Sequence, residues 1–141
     1  RKYWGSVIFR RDTVRDYQPR IELYRMEQSV YKRVLSVARD YERMVRDYRD
    51  ILYAPPARGG SGGGSGISDP TGLRALRLER LSRDIDAVER ALGTVPEEYR
   101  KAVMCKITRD VWPRGTMTEQ RTLRRWRARC LYALAINLGL I

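Results

Sequence analysis

Residues 121–138 have the sequence RTLRRWRARCLYALAINL, in which an apolar residue recurs every three or four positions. This spacing is typical of an amphipathic α-helix, because residues so spaced fall on one face. The predicted inward face carries Leu123, Trp126, Cys130, Leu134 and Leu138. The predicted outward face carries Arg121, Arg124, Arg125, Arg129 and Tyr132. Arg127 projects beside the apolar face, where we expect it to reach toward solvent or to find a partner.

Positive charge is concentrated at this end of the chain. The 141 residues have a formal net charge of +12. Residues 111–141 contain six arginines and one acid, whereas residues 67–110 contain nine Lys or Arg and eight Asp or Glu. Clustered cations that neutralise phosphates release condensed counterions, so a basic helix favours duplex DNA as partner. The alternative is a solvated basic face, or one that pairs with Asp84, Asp86 and Glu89 of a neighbouring helix.

A second periodic stretch predicts a long helix from about Pro19, which a first helical turn tolerates, to Tyr53. Its apolar residues alternate steps of four and three, as Val30, Val34, Val37, Tyr41, Met44, Tyr48 and Ile51. Such a heptad-like stripe either packs against other helices of the same fold or forms a coiled coil in a homodimer or higher oligomer. A shorter amphipathic helix is predicted before it, over residues 2–11.

The chain divides into three predicted regions. Residues 1–58 form an N-terminal helical region, residues 59–67 a flexible Gly/Ser loop, and residues 68–141 a C-terminal helical region. Pro55 and Pro56 are expected to end the long helix. The loop sequence GGSGGGSG has the composition of a flexible linker, engineered or natural. It lacks the Lys-Ser/Thr pair and the preceding strand of a phosphate-binding loop.

The C-terminal region carries three sets of helix-start signals. Asp69 and Pro70 predict the start of a helix that ends at Gly93. Residues 94–97 (TVPE) and 116–119 (TMTE) match capping boxes, which predict a helix from Glu97 to about Asp110 and then the terminal helix. The expected fold is therefore all-α, with four to five helices: long antiparallel helices plus a C-terminal helix-turn-helix-like pair.

The residue types that catalysis and metal binding require are missing or scattered. The chain has no histidine, and Cys105 and Cys130 form no CxxC motif. We expect both cysteines to be reduced and buried, as in an intracellular protein. Asp84 and Asp86 point in different directions on a helix. No apolar run approaches the roughly 18 residues that span a membrane. We expect no enzyme, no cofactor and no membrane partner.

The order of these elements resembles phage-encoded transcriptional regulators of the RinA/ArpU type. The resemblance runs from about residue 31 to the C-terminus and rests on SDPT at 68–71, VPEEYR at 95–100 and the basic helix with its LG ending. It implies final helices similar to sigma-factor region 4, which bind duplex DNA in the cytoplasm of a bacterial host. It also implies that Thr122, Leu123 and the arginines from Arg121 to Arg129 lie on a recognition helix.

Helical projection assigns roles on that surface. The residues expected nearest the bases are Thr118, Gln120, Arg121, Arg124 and Arg125, and those expected at the backbone are Arg114 and Arg129. Only five residues separate Asp110 from Thr116, fewer than a further short helix and a turn need. Either the helix from Glu97 serves as the first helix of a tight motif, or the motif is incomplete.

Two other functions fit the same sequence. One is a phage DNA-packaging component similar to a small terminase subunit, which also combines a DNA-binding module with an oligomerising one. The other is a protein-interaction module that docks on RNA polymerase through the apolar stripe.

Overall fold

The computed structural model describes Gln18, residues 21–55 and residues 70–141 of the chain. A 3-10 turn at Glu22–Tyr24 precedes five helices: α1 Gln28–Arg39, α2 Tyr41–Tyr53, α3 Pro70–Leu92, α4 Glu97–Arg109 and α5 Gln120–Asn137. These described ranges contain no β-strand, which confirms the all-α class with four to five helices. The predicted helix over residues 2–11, the cap at Asp69 and the Gly/Ser loop lie outside the described residues.

Helix α5 is the centre of the core. It contacts α1, α3, α4 and the 3-10 turn. Its buried residues are Leu123, Arg127, Ala128, Cys130, Leu131, Leu134 and Ala135. Trp126 and Leu138 are half-buried and pack against the same core. The predicted apolar face is thus turned inward, and only a narrow side of α5 remains open to solvent.

Helices α2 and α3 form an antiparallel hairpin. At one end the hydroxyl of Tyr41 donates a hydrogen bond of 2.8 Å to Glu89 Oε1. At the other end the guanidinium of Arg74 donates to the carbonyl oxygens of Ile51 and Leu52. The start of α2 therefore lies beside the end of α3, as the sequence predicts for the two long helices. Helix α2 ends at Tyr53 because Ala54, which precedes Pro55, is extended.

The first α-helix begins at Gln28, so the predicted start near Pro19 is wrong. The side-chain amide of Gln18 accepts from the N–H of Met26 and donates to its carbonyl, both at 2.7 Å. Glu27 is extended, with ψ 144°. Because the Gln18 amide satisfies the backbone groups of Met26, the segment before α1 needs no helical hydrogen bonds there.

The predicted long helix is also interrupted at Asp40. Its backbone N–H is shared between the carbonyls of Ser36 and Val37, at 3.1 and 3.2 Å, which tightens the last turn of α1. Its carboxylate accepts hydrogen bonds from Arg43 of α2, and this contact lowers the pKa of the Asp40 carboxyl. Instead of one continuous helix, the structure has the 3-10 turn at Glu22–Tyr24 and the helices α1 and α2, which meet at Asp40.

Five of the seven residues of the heptad-like stripe pack against the core of the chain, and Tyr48 and Ile51 are half-buried outside it. Val34 and Met44 are buried, and Val30, Val37 and Tyr41 are half-buried against the core. Three further residues of α1 are buried beside the stripe: Tyr31, Leu35 and Ala38. Helix α1 contacts both α4 and α5 and so buries a wider face than a two-helix seam requires.

Neither predicted capping box forms. Thr94 Oγ1 donates to the carbonyl of Ala91 at 2.7 Å, and Thr116 Oγ1 donates to that of Pro113. The N-cap positions are Pro96 for α4 and Glu119 for α5, and neither side chain makes a capping hydrogen bond. Each threonine closes the turn before it instead of opening the helix after it. Helix α4 still begins at Glu97, but α5 begins only at Gln120.

Candidate nucleic-acid interface

The connection between α4 and α5 positions the basic helix. Asp110 ends α4 in the left-handed conformation, with φ 57°. Lys106 Nζ contacts the carbonyl of Asp110 at 3.0 Å and its carboxylate at 3.2 Å, and lies 5.4 Å from the centroid of the Trp112 ring. These contacts hold Asp110 and Trp112 against the last turn of α4. The connection, residues 110–119, is longer than the three to four residues of a helix-turn-helix turn.

Four arginines form the exposed side of α5. We call them the arginine strip: Arg121, Arg124, Arg125 and Arg129, all exposed as the sequence predicts. Arg121, Arg125 and Arg129 are four positions apart and therefore lie on successive turns, over about 12 Å of helix. Because the opposite side of α5 is buried in the core, the strip is held on a rigid element.

The strip has no ion-pair partner within the described part of the chain. Two of the acids considered as partners on α3 are engaged elsewhere. Asp86 lies 3.7 Å from Arg90 in an i,i+4 pair, and Glu89 accepts the hydrogen bond from Tyr41. Pairing of α5 with Asp84, Asp86 or Glu89 is thus not observed among the described residues, and all four arginines of the strip are exposed.

The remaining predicted contact residues lie at the start of the strip and before it. Gln120 is exposed and is the first residue of α5. Thr118 is half-buried and Arg114 is exposed, and both lie in the preceding connection. No side chain caps the first turn of α5, and the positive end of its helix dipole lies at Gln120, next to Arg121. Leu123, which the resemblance places on a recognition helix, is fully buried and offers no surface.

Arg127 has a different place from the other arginines. Its side chain is 6% exposed, and Nη1 donates a 3.0 Å hydrogen bond to the hydroxyl of Tyr31. Its Nε has no hydrogen-bond partner among the described atoms. Arg127 is therefore a core residue that joins α5 to α1. The sequence indicated its position near the apolar face but not its partner, because Tyr31 lies beside the heptad-like stripe and not in it.

A groove of about 530 Å³ borders the strip on the side of the 3-10 turn. Its lining residues are Ile21, Leu23, Tyr24, Thr122, Arg125, Trp126 and Arg129. The Arg129 guanidinium lies 5.4 Å from the centroid of the Trp126 ring. The rings of Tyr24 and Tyr132 are 5.8 Å apart at 57°. Sequence patterns gave no signal for this groove, because its two walls come from distant parts of the chain.

The cysteines differ in their surroundings. Cys130 is buried, and burial raises the pKa of its thiol to about 12. Cys105 is half-buried, so the expectation that both are buried is wrong for this residue. The described residues contain no group of three His, Cys, Asp or Glu side chains placed to bind a metal ion. Among the helices described, none has the length and apolar character to cross a membrane.

Comparison of the chain with protein-family models, with curated protein sequences and with solved structures found no significant match.

Proposed function

We propose that the chain binds duplex DNA through the arginine strip of α5 and serves as a transcriptional regulator of the phage type that its sequence resembles. The observation that carries the DNA-binding proposal is the strip itself. It consists of four exposed guanidinium groups, without an acidic partner in the described residues, on a helix whose other side is buried. The regulatory role rests on the resemblance in sequence.

The arginine strip suits a groove of duplex DNA, which is lined by phosphates, for two physical reasons. Guanidinium groups form two parallel hydrogen bonds, either with phosphate oxygens or with the O6 and N7 edge of guanine. A helix fixed by its buried face also loses little conformational entropy on binding. In this proposal Arg121, Arg124 and Arg125 contact bases near the start of α5, and Arg129 contacts the backbone one turn later.

The experiment is selection from a random duplex DNA pool by the full chain, followed by sequencing of the retained fraction. The test variant is R121Q/R124Q/R125Q. The matched control is R46Q/R49Q/R80Q, which removes the same charge from exposed positions on the α2–α3 hairpin. We expect an enriched motif for the unmodified chain and the control, and none for the test variant. Failure of the unmodified chain to retain DNA would contradict the proposal.

Retention without an enriched motif would favour the packaging alternative, which requires DNA contact but little readout of sequence. Light scattering separates the two further, since a packaging subunit of this type forms a ring of many copies. A monomer or dimer in solution agrees with the regulator, because dimers of regulators bind paired half-sites.

A further inference from the structure

The groove beside the arginine strip combines an apolar interior with a cationic edge. Ile21, Leu23, Tyr24 and Trp126 supply its apolar surface, and Arg125 and Arg129 its charges. No carboxylate is among the side chains that line it in the described structure. Leu23 is 75% exposed, so a large aliphatic side chain is left in water at this edge. The volume of about 530 Å³ is within the range of ligand clefts, roughly 300–1,000 Å³.

We infer that this groove is a docking site for an acidic peptide segment of a partner protein, which inserts an apolar side chain between Leu23 and Trp126 and pairs its carboxylates with Arg125 and Arg129. Charge complementarity decides the class of occupant. Arg125 and Arg129 lie on consecutive turns of α5, and apolar side chains line the groove between α5 and the 3-10 turn. This arrangement matches a peptide in which acidic residues flank an aliphatic or aromatic one.

The ring contacts favour a peptide over an unstacked nucleobase. A base would stack on an aromatic face. The Arg129 guanidinium lies over one face of Trp126, and the Tyr24 ring packs against Tyr132. An inserted aliphatic side chain needs no free ring face and can contact Ile21 and Leu23 of the same groove.

The site goes beyond DNA binding and stands without it, although the two surfaces overlap. Arg125 and Arg129 belong to both the strip and the groove, whereas Arg124 belongs to the strip alone. If DNA occupies the strip, as proposed above, an acidic partner in the groove competes for the same two guanidinium groups. The partner would then release the chain from DNA.

The experiment is selection of a random peptide library on the immobilised full chain, followed by anisotropy titration of the enriched peptides. We expect enriched peptides to carry Asp or Glu on both sides of an aliphatic or aromatic residue. L23S and R125Q should each weaken binding roughly tenfold. The matched controls are R124Q and L73S, which changes another exposed leucine, on α3, and each should alter affinity by less than about twofold.

Three results would overturn the inference: no enrichment over the bare support, enrichment of peptides without acidic residues, or affinities that L23S leaves unchanged. Binding of single-stranded oligodeoxythymidine that is lost in L23S would also overturn it and assign the groove to a nucleobase. Failure of the DNA proposal is distinguishable, because R124Q weakens binding to duplex DNA in that proposal but not binding to the peptide.

Discussion

The guanidinium of Arg127 and the hydroxyl of Tyr31 form a hydrogen bond of 3.0 Å across the core, 96 positions apart in the chain. Arg127 also lies 6.0 Å from the centroid of the Tyr31 ring. No described carboxylate forms an ion pair with it. A buried charge held mainly by a neutral hydroxyl and a ring has a large desolvation cost and few compensating contacts.

The contact between Tyr31 and Arg127 can be removed from either residue, with different expected effects on stability. Y31F removes the hydroxyl and leaves Arg127 buried with less compensation, so we expect a loss of about 1–3 kcal/mol in the free energy of unfolding. R127M replaces the cation with an apolar side chain of similar length, and it should leave stability unchanged or raise it. Urea unfolding followed by circular dichroism measures both. A large loss in R127M would show that the charge itself stabilises the core.

The second prediction concerns alkaline pH. Burial raises the pKa of the Cys130 thiol from 9.0 to about 12, so the folded chain keeps this proton more tightly than the unfolded chain does. The resulting stability is complete below pH 9 and is lost as pH rises toward 12. Relative to C130A, the unmodified chain should therefore lose stability steadily as pH rises from 9 to 12. Urea unfolding of both proteins at several pH values measures this difference, and parallel curves would contradict it.

The third prediction concerns the end of α5. Gly139 adopts φ 73°, and its N–H and that of Leu140 donate to the carbonyls of Ile136 and Ala135. A Cβ added at Gly139 would meet no atom within 4 Å, so the cost of G139A lies in the backbone alone. We expect a loss of about 1 kcal/mol in G139A and a smaller loss in G139N, because asparagine tolerates this conformation better. Equal losses in thermal unfolding would point to another cause.

Much of the helical architecture was predictable, because it depends on local periodicity. The inward face of α5 and the exposure of Arg121, Arg124, Arg125 and Arg129 follow from the 3.6-residue repeat. The antiparallel pairing of α2 with α3 was expected because one Gly/Ser loop joins the two helical segments. The exposed face of a helix is set once its apolar face is identified. The DNA-binding role of that face stays a prediction.

The features that the sequence did not predict depend on side-chain contacts that helical periodicity does not encode. The Gln18 side chain forms two hydrogen bonds with the backbone of Met26 just before α1, and no sequence pattern predicts them. Thr94 matches a capping box, but its hydroxyl donates to the carbonyl of Ala91 in the preceding turn. A threonine side chain can form a hydrogen bond with the turn before it or with the helix after it, and the sequence motif does not distinguish the two. The groove is formed by the 3-10 turn and α5 together, so no single stretch of sequence contains it.

The most direct test of the central claim is the salt dependence of binding to duplex DNA of random sequence, measured by anisotropy over a series of salt concentrations. DNA of random sequence offers no selected base contacts, so Arg121, Arg124 and Arg125 are expected to contact phosphates in this assay, and each phosphate contact contributes about 0.9 to the slope of log affinity against log salt. We predict a steep slope for the unmodified chain and for R46Q/R49Q/R80Q, and a slope reduced by roughly 3 in R121Q/R124Q/R125Q. Equal slopes in the two triple variants, or no binding at low salt, would contradict DNA binding through α5.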